Sequence, residues 1–185
     1  MNIAFLMAPE GVEQIELTRP WQAVADAGDT PLLLSTKPGR VQAFNHLDKA
    51  DVFPVDLVVP RTATDYAALI LPGGVANPDA LRMDEKAVAF VRSFFDQGKP
   101  VAAICHAPWA LVEADVLRGR VLTSWPSLRT DIRNAGGIWV DEQVQICHEG
   151  PNTLITSRKP ADLDAFCSAF TAEFAKEEAG TGAAR

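Results

Sequence analysis

The sequence predicts an α/β domain with a mostly parallel central sheet covered by helices on both faces. Three observations predict it. Short, all-apolar runs at Asn2–Met7, Ala67–Leu71 and Val101–Ile104 read as strands that a sheet buries on both sides. Helical patterns of roughly 12 to 15 residues alternate with such runs, which implies crossover connections and parallel pairing. Abrupt breaks follow the strands at Pro9–Gly11, Pro72–Gly74 and Cys105–His106, and in sheets of this kind ligands bind outside the carboxyl ends of strands.

In chain order, Asn2–Met7 is a first, central strand and Pro9-Glu10-Gly11 a turn. A helix opens at Glu13 and runs to Ala27. Ile15, Val24 and Ala27 form its expected inward stripe, Gly28 stops it, and Pro20 predicts a break near Arg19. Leu32–Ser35 is a strand, Val41–Phe53 a hairpin or loop on the sheet edge, and Val55–Val59 a further short strand. Asn77-Pro78-Asp79 begins a short helical turn. Asp84 caps a longer helix through Gln97, with Val88, Val91, Phe94 and Phe95 at core spacing and Gly98 as its stop. Trp109–Val116 and Ser127–Asn134 are helices. Val121–Thr123, Ile138–Val140, Val144–Ile146 and Thr153–Thr156 are strands. Asp162–Lys176 is the last helix, burying Leu163, Phe166, Phe170 and Phe174. Residues 1–179 form a single domain, and 180–185 are expected to be a disordered tail.

With 185 residues, 48% apolar and 22% charged, the chain can bury a full core. Its net charge of −7 and lack of a basic cluster argue against a nucleic-acid partner. No apolar run approaches the roughly 20 residues of a membrane span. Met1–Met7 lacks a basic leader and a cleavage site, so a cytoplasmic location is expected. Cys105, Cys147 and Cys167 lie far apart, without C-x-x-C spacing, which argues for free thiols and against a metal site. No cofactor is expected.

The stretch from Val101 to Trp109 carries the chemistry. A buried strand ends at Ile104, Cys105-His106 breaks the pattern, and a helix-compatible run begins at Trp109. Strand, sharp turn, helix is the layout of a nucleophile elbow. A cysteine there faces the first free amides of the following helix, which favours its thiolate and predicts a lowered pKa. Cys147 and Cys167 read as core. Gly73 and Gly74 are candidates to supply backbone amides to an oxyanion pocket together with the amide of His106. Trp109 and Trp125 either join the core or wall the cleft, while His46 and His148 read as surface residues.

Glu13-Gln14-Ile15-Glu16-Leu17, Leu71-Pro72-Gly73-Gly74, Ala103-Ile104-Cys105-His106 and Thr156-Ser157-Arg158-Lys159-Pro160 together resemble the ordered landmarks of the DJ-1/PfpI superfamily. The likeness is to its PfpI-type intracellular-protease and general-stress-protein branch, and it spans nearly the whole chain. It implies a flavodoxin-like three-layer α/β/α sandwich, related to class I glutamine amidotransferases, and a homodimer or a larger ring such as a hexamer. It also implies a reactive Cys105, with Glu13 as the carboxylate beside its sulfur and His106 following the elbow. Asp79 matches the position from which some PfpI-type assemblies supply an acid across a subunit contact, although an aspartate reaches less far than the family's glutamate. Glu16, one turn on from Glu13, reads as structural. Ala107 stands where the family usually has glycine; a positive φ there would cost about 1 kcal/mol.

The implied activities are cysteine-dependent hydrolysis of peptides and, as an alternative, glyoxalase or deglycase action on methylglyoxal or its adducts, with a small carbonyl compound or a peptide as substrate. A non-enzymatic oxidative-stress sensor or chaperone is the further alternative. A class I glutamine amidotransferase is excluded because His148-Glu149 lacks the spacer of a late His-x-Glu. A nucleotide site after the first strand is disfavoured by the single glycine and two acidic residues of Ala8–Glu13.

Overall fold

The computed structural model describes residues 1–182, and side chains through residue 176. In chain order the elements are β1 (Asn2–Met7), β2 (Glu10–Glu13), α1 (Gln14–Asp26), β3 (Thr30–Ser35), β4 (Arg40–Asn45), β5 (Asp48–Pro54), β6 (Leu57–Val58) and β7 (Ala68–Leu71). There follow α2 (Ala76–Leu81), α3 (Glu85–Asp96), β8 (Val101–Ile104), α4 (Pro108–Glu113), β9 (Val121–Leu122), α5 (Arg129–Asn134), β10 (Ile138–Trp139), β11 (Val144–Cys147), β12 (Leu154–Ser157) and α6 (Leu163–Gly182). The main sheet has seven strands in the order β11-β12-β8-β7-β1-β3-β6, and every pairing except β11–β12 is parallel.

The all-apolar strands are explained by two cores, one on each face. Alternation sends Ala4, Leu6, Leu69, Leu71 and Ala103 to one side, against Phe90 and Phe94 of α3, Leu111 of α4 and Ile132 of α5. It sends Ile3, Phe5, Met7, Ile70 and Ile104 to the other, against Leu17 and Val24 of α1 and Phe166, Phe170 and Phe174 of α6. This is a flavodoxin-like three-layer sandwich. The parallel strands all point their carboxyl ends at one edge, and the breaks singled out in the sequence lie along it.

Several local expectations are corrected. The segment after β1 is a strand, not only a turn: β2 pairs with β4, and β4 pairs with β5, as a separate three-stranded sheet. Helix α1 does not break at Pro20, which stays inside it, fully packed. Leu17 and Val24 hold the helix on the sheet from both sides of the proline, and Trp21 packs on Phe5 with ring centroids 5.1 Å apart. The inward stripe is Glu16, Leu17, Pro20 and Val24, and Ile15 is exposed. Helix α6 continues to Gly182, past the Gly180 start of the expected tail, and 183–185 lie outside the described residues. Asp84 caps α3 as expected, accepting from the amides of Lys86 and Ala87. Among the described residues no helix is long and apolar enough to cross a membrane.

Candidate functional site

The elbow is real and strained. Cys105 has φ +64, a conformation that L side chains rarely adopt and that costs of order 1–3 kcal/mol. The reversal is fixed on both sides: the Cys105 amide donates to Ser157 O at 3.0 Å, and its carbonyl accepts the Trp125 amide at 2.9 Å. The Thr156–Pro160 landmark thus helps to hold the elbow. Ala107 is ordinary right-handed helix at φ −52, so its methyl strains nothing and packs into the core.

Directly beside the sulfur stands Glu16, not Glu13. Glu16 is fully buried, lies against the Cys105 side chain, and accepts the Gly73 amide on Oε2 at 2.9 Å. Among the described residues its Oε1 has no hydrogen-bond partner. Gly73 must be glycine for space: a Cβ there would lie 2.4 Å from Glu16 Oε2 and 2.6 Å from Cys105 Cβ. Glu13 is the residue before α1, in extended backbone, and its side chain turns to the β4–β5 hairpin, where Oε2 accepts the His46 amide at 3.0 Å. One turn of helix separates the two acids, and the packing of Leu17 and Pro20 carries Glu16 inward.

The amides divide differently from the expectation too. The Gly73 N–H is occupied by Glu16, so it is not free for an oxyanion. The amides of Gly74 and His106 do face the sulfur. Asn77, fully buried, stitches this edge together: Oδ1 accepts from Ala8 N at 2.8 Å, and Nδ2 donates to Pro72 O and Gly73 O, both at 3.0 Å. Gly74, at φ +81, passes so close to Gly11 that a Cβ would sit 2.1 Å from the Gly11 carbonyl oxygen.

The His106 ring turns toward the Cys105 sulfur. Its Nδ1 lies 3.2 Å from Cys105 Sγ and its Nε2 lies 3.4 Å from Ser127 Oγ. Trp125 stacks on the ring at 22° and 5.6 Å, and Trp109 tilts against it at 5.4 Å. Both tryptophans wall the cleft. Asp79 is exposed on α2 and lines the same cleft, but the only side-chain polar partners of His106 among the described residues are Cys105 and Ser127. His46 reaches the rim from the hairpin tip.

The electrostatics overturn the expected low thiol pKa. Burial pushes the Cys105 thiol up, an ionised Glu16 would push it further, and the Gly74 and His106 amides oppose both without winning. Burial likewise pushes Glu16 up to about 8. Burial lowers His106, keeping its imidazole neutral. At pH 7 the resting site is therefore a thiol, a protonated carboxyl and a neutral imidazole. Once the thiol loses its proton, Glu16 is a donor to the sulfur and not a competing anion. The cleft encloses about 820 Å³. Among the described residues no three His, Cys, Asp or Glu side chains gather as a metal site, and Cys147 and Cys167 are buried apart from the cleft.

A flavodoxin-like sandwich with a cysteine elbow, a buried acid against its sulfur and a following histidine defines a class of cysteine-centred α/β proteins. Residues 1–173 match the model of the DJ-1/PfpI family, and the chain belongs to that family. It is 38% identical over 170 residues to "Deglycase PH1704" of Pyrococcus horikoshii, covering 92% of this chain and 97% of that one. It is 36% identical over 154 residues to "General stress protein 18" of Bacillus subtilis, covering 83% and 87%. Among solved structures, a two-domain protein of Anabaena variabilis with DJ-1/ThiJ/PfpI-like and ferritin-like domains superposes with a TM-score of 0.85 at 30% identity. That match covers 95% of this chain and 50% of the Anabaena chain.

Proposed function

We propose that this protein is a cysteine-dependent enzyme acting on 2-oxoaldehydes such as methylglyoxal, or on their adducts with amines. The observation that carries this reading is the fully buried Glu16 carboxyl packed beside Cys105 and oriented by the Gly73 amide, where burial favours its protonated form. A reaction that forms a hemithioacetal and then shifts a proton between adjacent carbons needs one group that both donates and accepts at the sulfur-bearing carbon. A carboxyl with a pKa near working pH suits that role.

Neutral His106 Nδ1 takes the thiol proton, and the sulfur bonds to the aldehyde carbon. The C=O π pair moves to oxygen, which takes the Glu16 proton beside the Gly74 and His106 amides. Glu16, now a carboxylate, removes the proton from that carbon, and the C–H pair forms a C=C bond as the neighbouring carbonyl π pair moves to its oxygen. Glu16 then returns the proton to the neighbouring carbon, while the hydroxyl proton passes from the first oxygen to the second and the first C=O re-forms, leaving a thioester. Water then cleaves the thioester: Glu16 accepts a proton from the water, His106 reprotonates the departing sulfur, and a 2-hydroxy acid leaves. The name of the Pyrococcus relative supports carbonyl-adduct chemistry.

A second reading, peptide hydrolysis, is favoured by the 3.2 Å Cys105–His106 contact alone. In that reading a homo-oligomeric partner would bring its acid, at the position of Asp79, to His106. Sedimentation velocity of the wild-type protein tests whether the dimer or larger ring implied by the family exists.

The deciding experiment follows methylglyoxal loss and 2-hydroxy acid formation by NMR, with a fluorogenic peptide run in parallel. Cys105→Ala is expected to abolish turnover, and Glu16→Gln to lower kcat about 100-fold. Undiminished aldehyde turnover by Cys105→Ala would overturn the reading.

A further inference from the structure

The walls of the cleft combine two features that bear on what can enter it. Its lining carries the carboxylates of Glu13 and Asp79, and among the described residues that line it there is no lysine or arginine. The charge of Glu13 is fixed in place, because its carboxylate accepts the hairpin amide of His46. Beside these and the imidazoles of His46 and His106, the outer wall is largely apolar: Leu47 is 94% exposed, Val75 56% and Trp125 39%, with the half-buried Phe44 and Trp109 beside them. Three exposed large apolar side chains thus surround the approach to Cys105. An anion drawn toward the sulfur meets two like charges in a partly desolvated cleft, where Coulomb terms are weakly screened. A cavity of this volume is also far larger than a three-carbon aldehyde needs.

Resting on the reading proposed above, we infer that the site selects carbonyl compounds with a neutral or cationic, largely apolar body and rejects those bearing a carboxylate or phosphate. Glu13 and Asp79 are its specificity-determining residues. Glu13, displaced from the sulfur by Glu16, thereby acquires a different role at the mouth of the cleft.

The test separates this inference from the chemistry. At pH 8, Cys105 is labelled with two methanethiosulfonates of matched size, one ending in trimethylammonium and one in sulfonate, and followed by mass spectrometry. Labelling rates are taken relative to those of the same reagents with a free thiol; on that scale the cationic reagent is expected to react at least about tenfold faster, and the Glu13→Gln, Asp79→Asn double variant to bring the two rates together. In parallel, wild-type kcat/KM is measured with phenylglyoxal, methylglyoxal and glyoxylate. Phenylglyoxal is expected to exceed methylglyoxal, and glyoxylate to fall at least about tenfold below both. Equal labelling rates for the two reagents, or glyoxylate turned over as well as methylglyoxal, would overturn the inference. Charge-selective labelling without turnover of any aldehyde would instead sink the proposed chemistry and leave the selectivity standing.

Discussion

At the scale of single residues, the elbow is legible in the sequence and the groups around its sulfur are not. An apolar strand broken by Cys105-His106 places a cysteine at a sharp strand-to-helix reversal without coordinates. Choosing between Glu13 and Glu16 required the rotation of α1, and taking Ile15 as an inward residue turned that helix by one position. The missed signal was Glu16 itself, spaced with Pro20 and Val24 on the face that packs. The thiol pKa was misjudged for a related reason: helix amides were visible in the pattern, whereas the depth of burial was not. The backbone strain at Cys105 is separable from the sulfur. Glycine relieves a positive φ that alanine cannot. Cys105→Gly is therefore expected to be about 1 kcal/mol more stable than Cys105→Ala in guanidinium unfolding, and equal stabilities would show that the elbow stores no strain.

At the scale of elements, most helices and strands were readable because periodicity and caps agreed. Asp84 before α3 and Gly28 after α1 are residues whose local preference matches the fold. The exceptions depend on tertiary partners. Strand β2 exists because β4 lies beside it, and α1 survives Pro20 because both of its halves are packed. The β4–β5 hairpin is expected as an edge feature; pairing of β4 with β2 and the Gln14–Asp51 bonds hold its base at the cleft, and Glu13 Oε2 accepting the His46 amide ties down its tip. Glu13→Ala removes that acceptor, and limited proteolysis at the hairpin tip is expected to speed up about fivefold. Glu13→Gln keeps an acceptor and is expected to leave the rate near wild type. Equal rates for Ala and wild type would show that the carboxylate does not hold the tip.

At the scale of the whole molecule, layer architecture followed from composition and alternation, since only a sheet covered on both faces needs strands apolar on both sides. The pH dependence of stability follows from one buried group. Glu16 has an ordinary value of 4.5 and is raised to about 8 in the fold, so the native chain retains a proton that the unfolded chain has released. Its linkage therefore makes the protein lose stability as pH climbs from about 4.5 to about 8. Glu16→Gln is expected to flatten this slope and to raise stability at pH 8 by about 2 kcal/mol, read by denaturant titration at several pH values. An unchanged slope in the variant would mean that Glu16 titrates normally.

The bond between the Gly73 amide and Glu16 has a consequence for what the fold can evolve toward. An amide committed to orienting an acid is lost to any tetrahedral intermediate, which leaves the Gly74 and His106 amides as the backbone donors beside the sulfur. Since a side chain at position 73 would collide with both the carboxyl and the cysteine, the glycine cannot be replaced while those two stay in place, so any route that alters it must first move them.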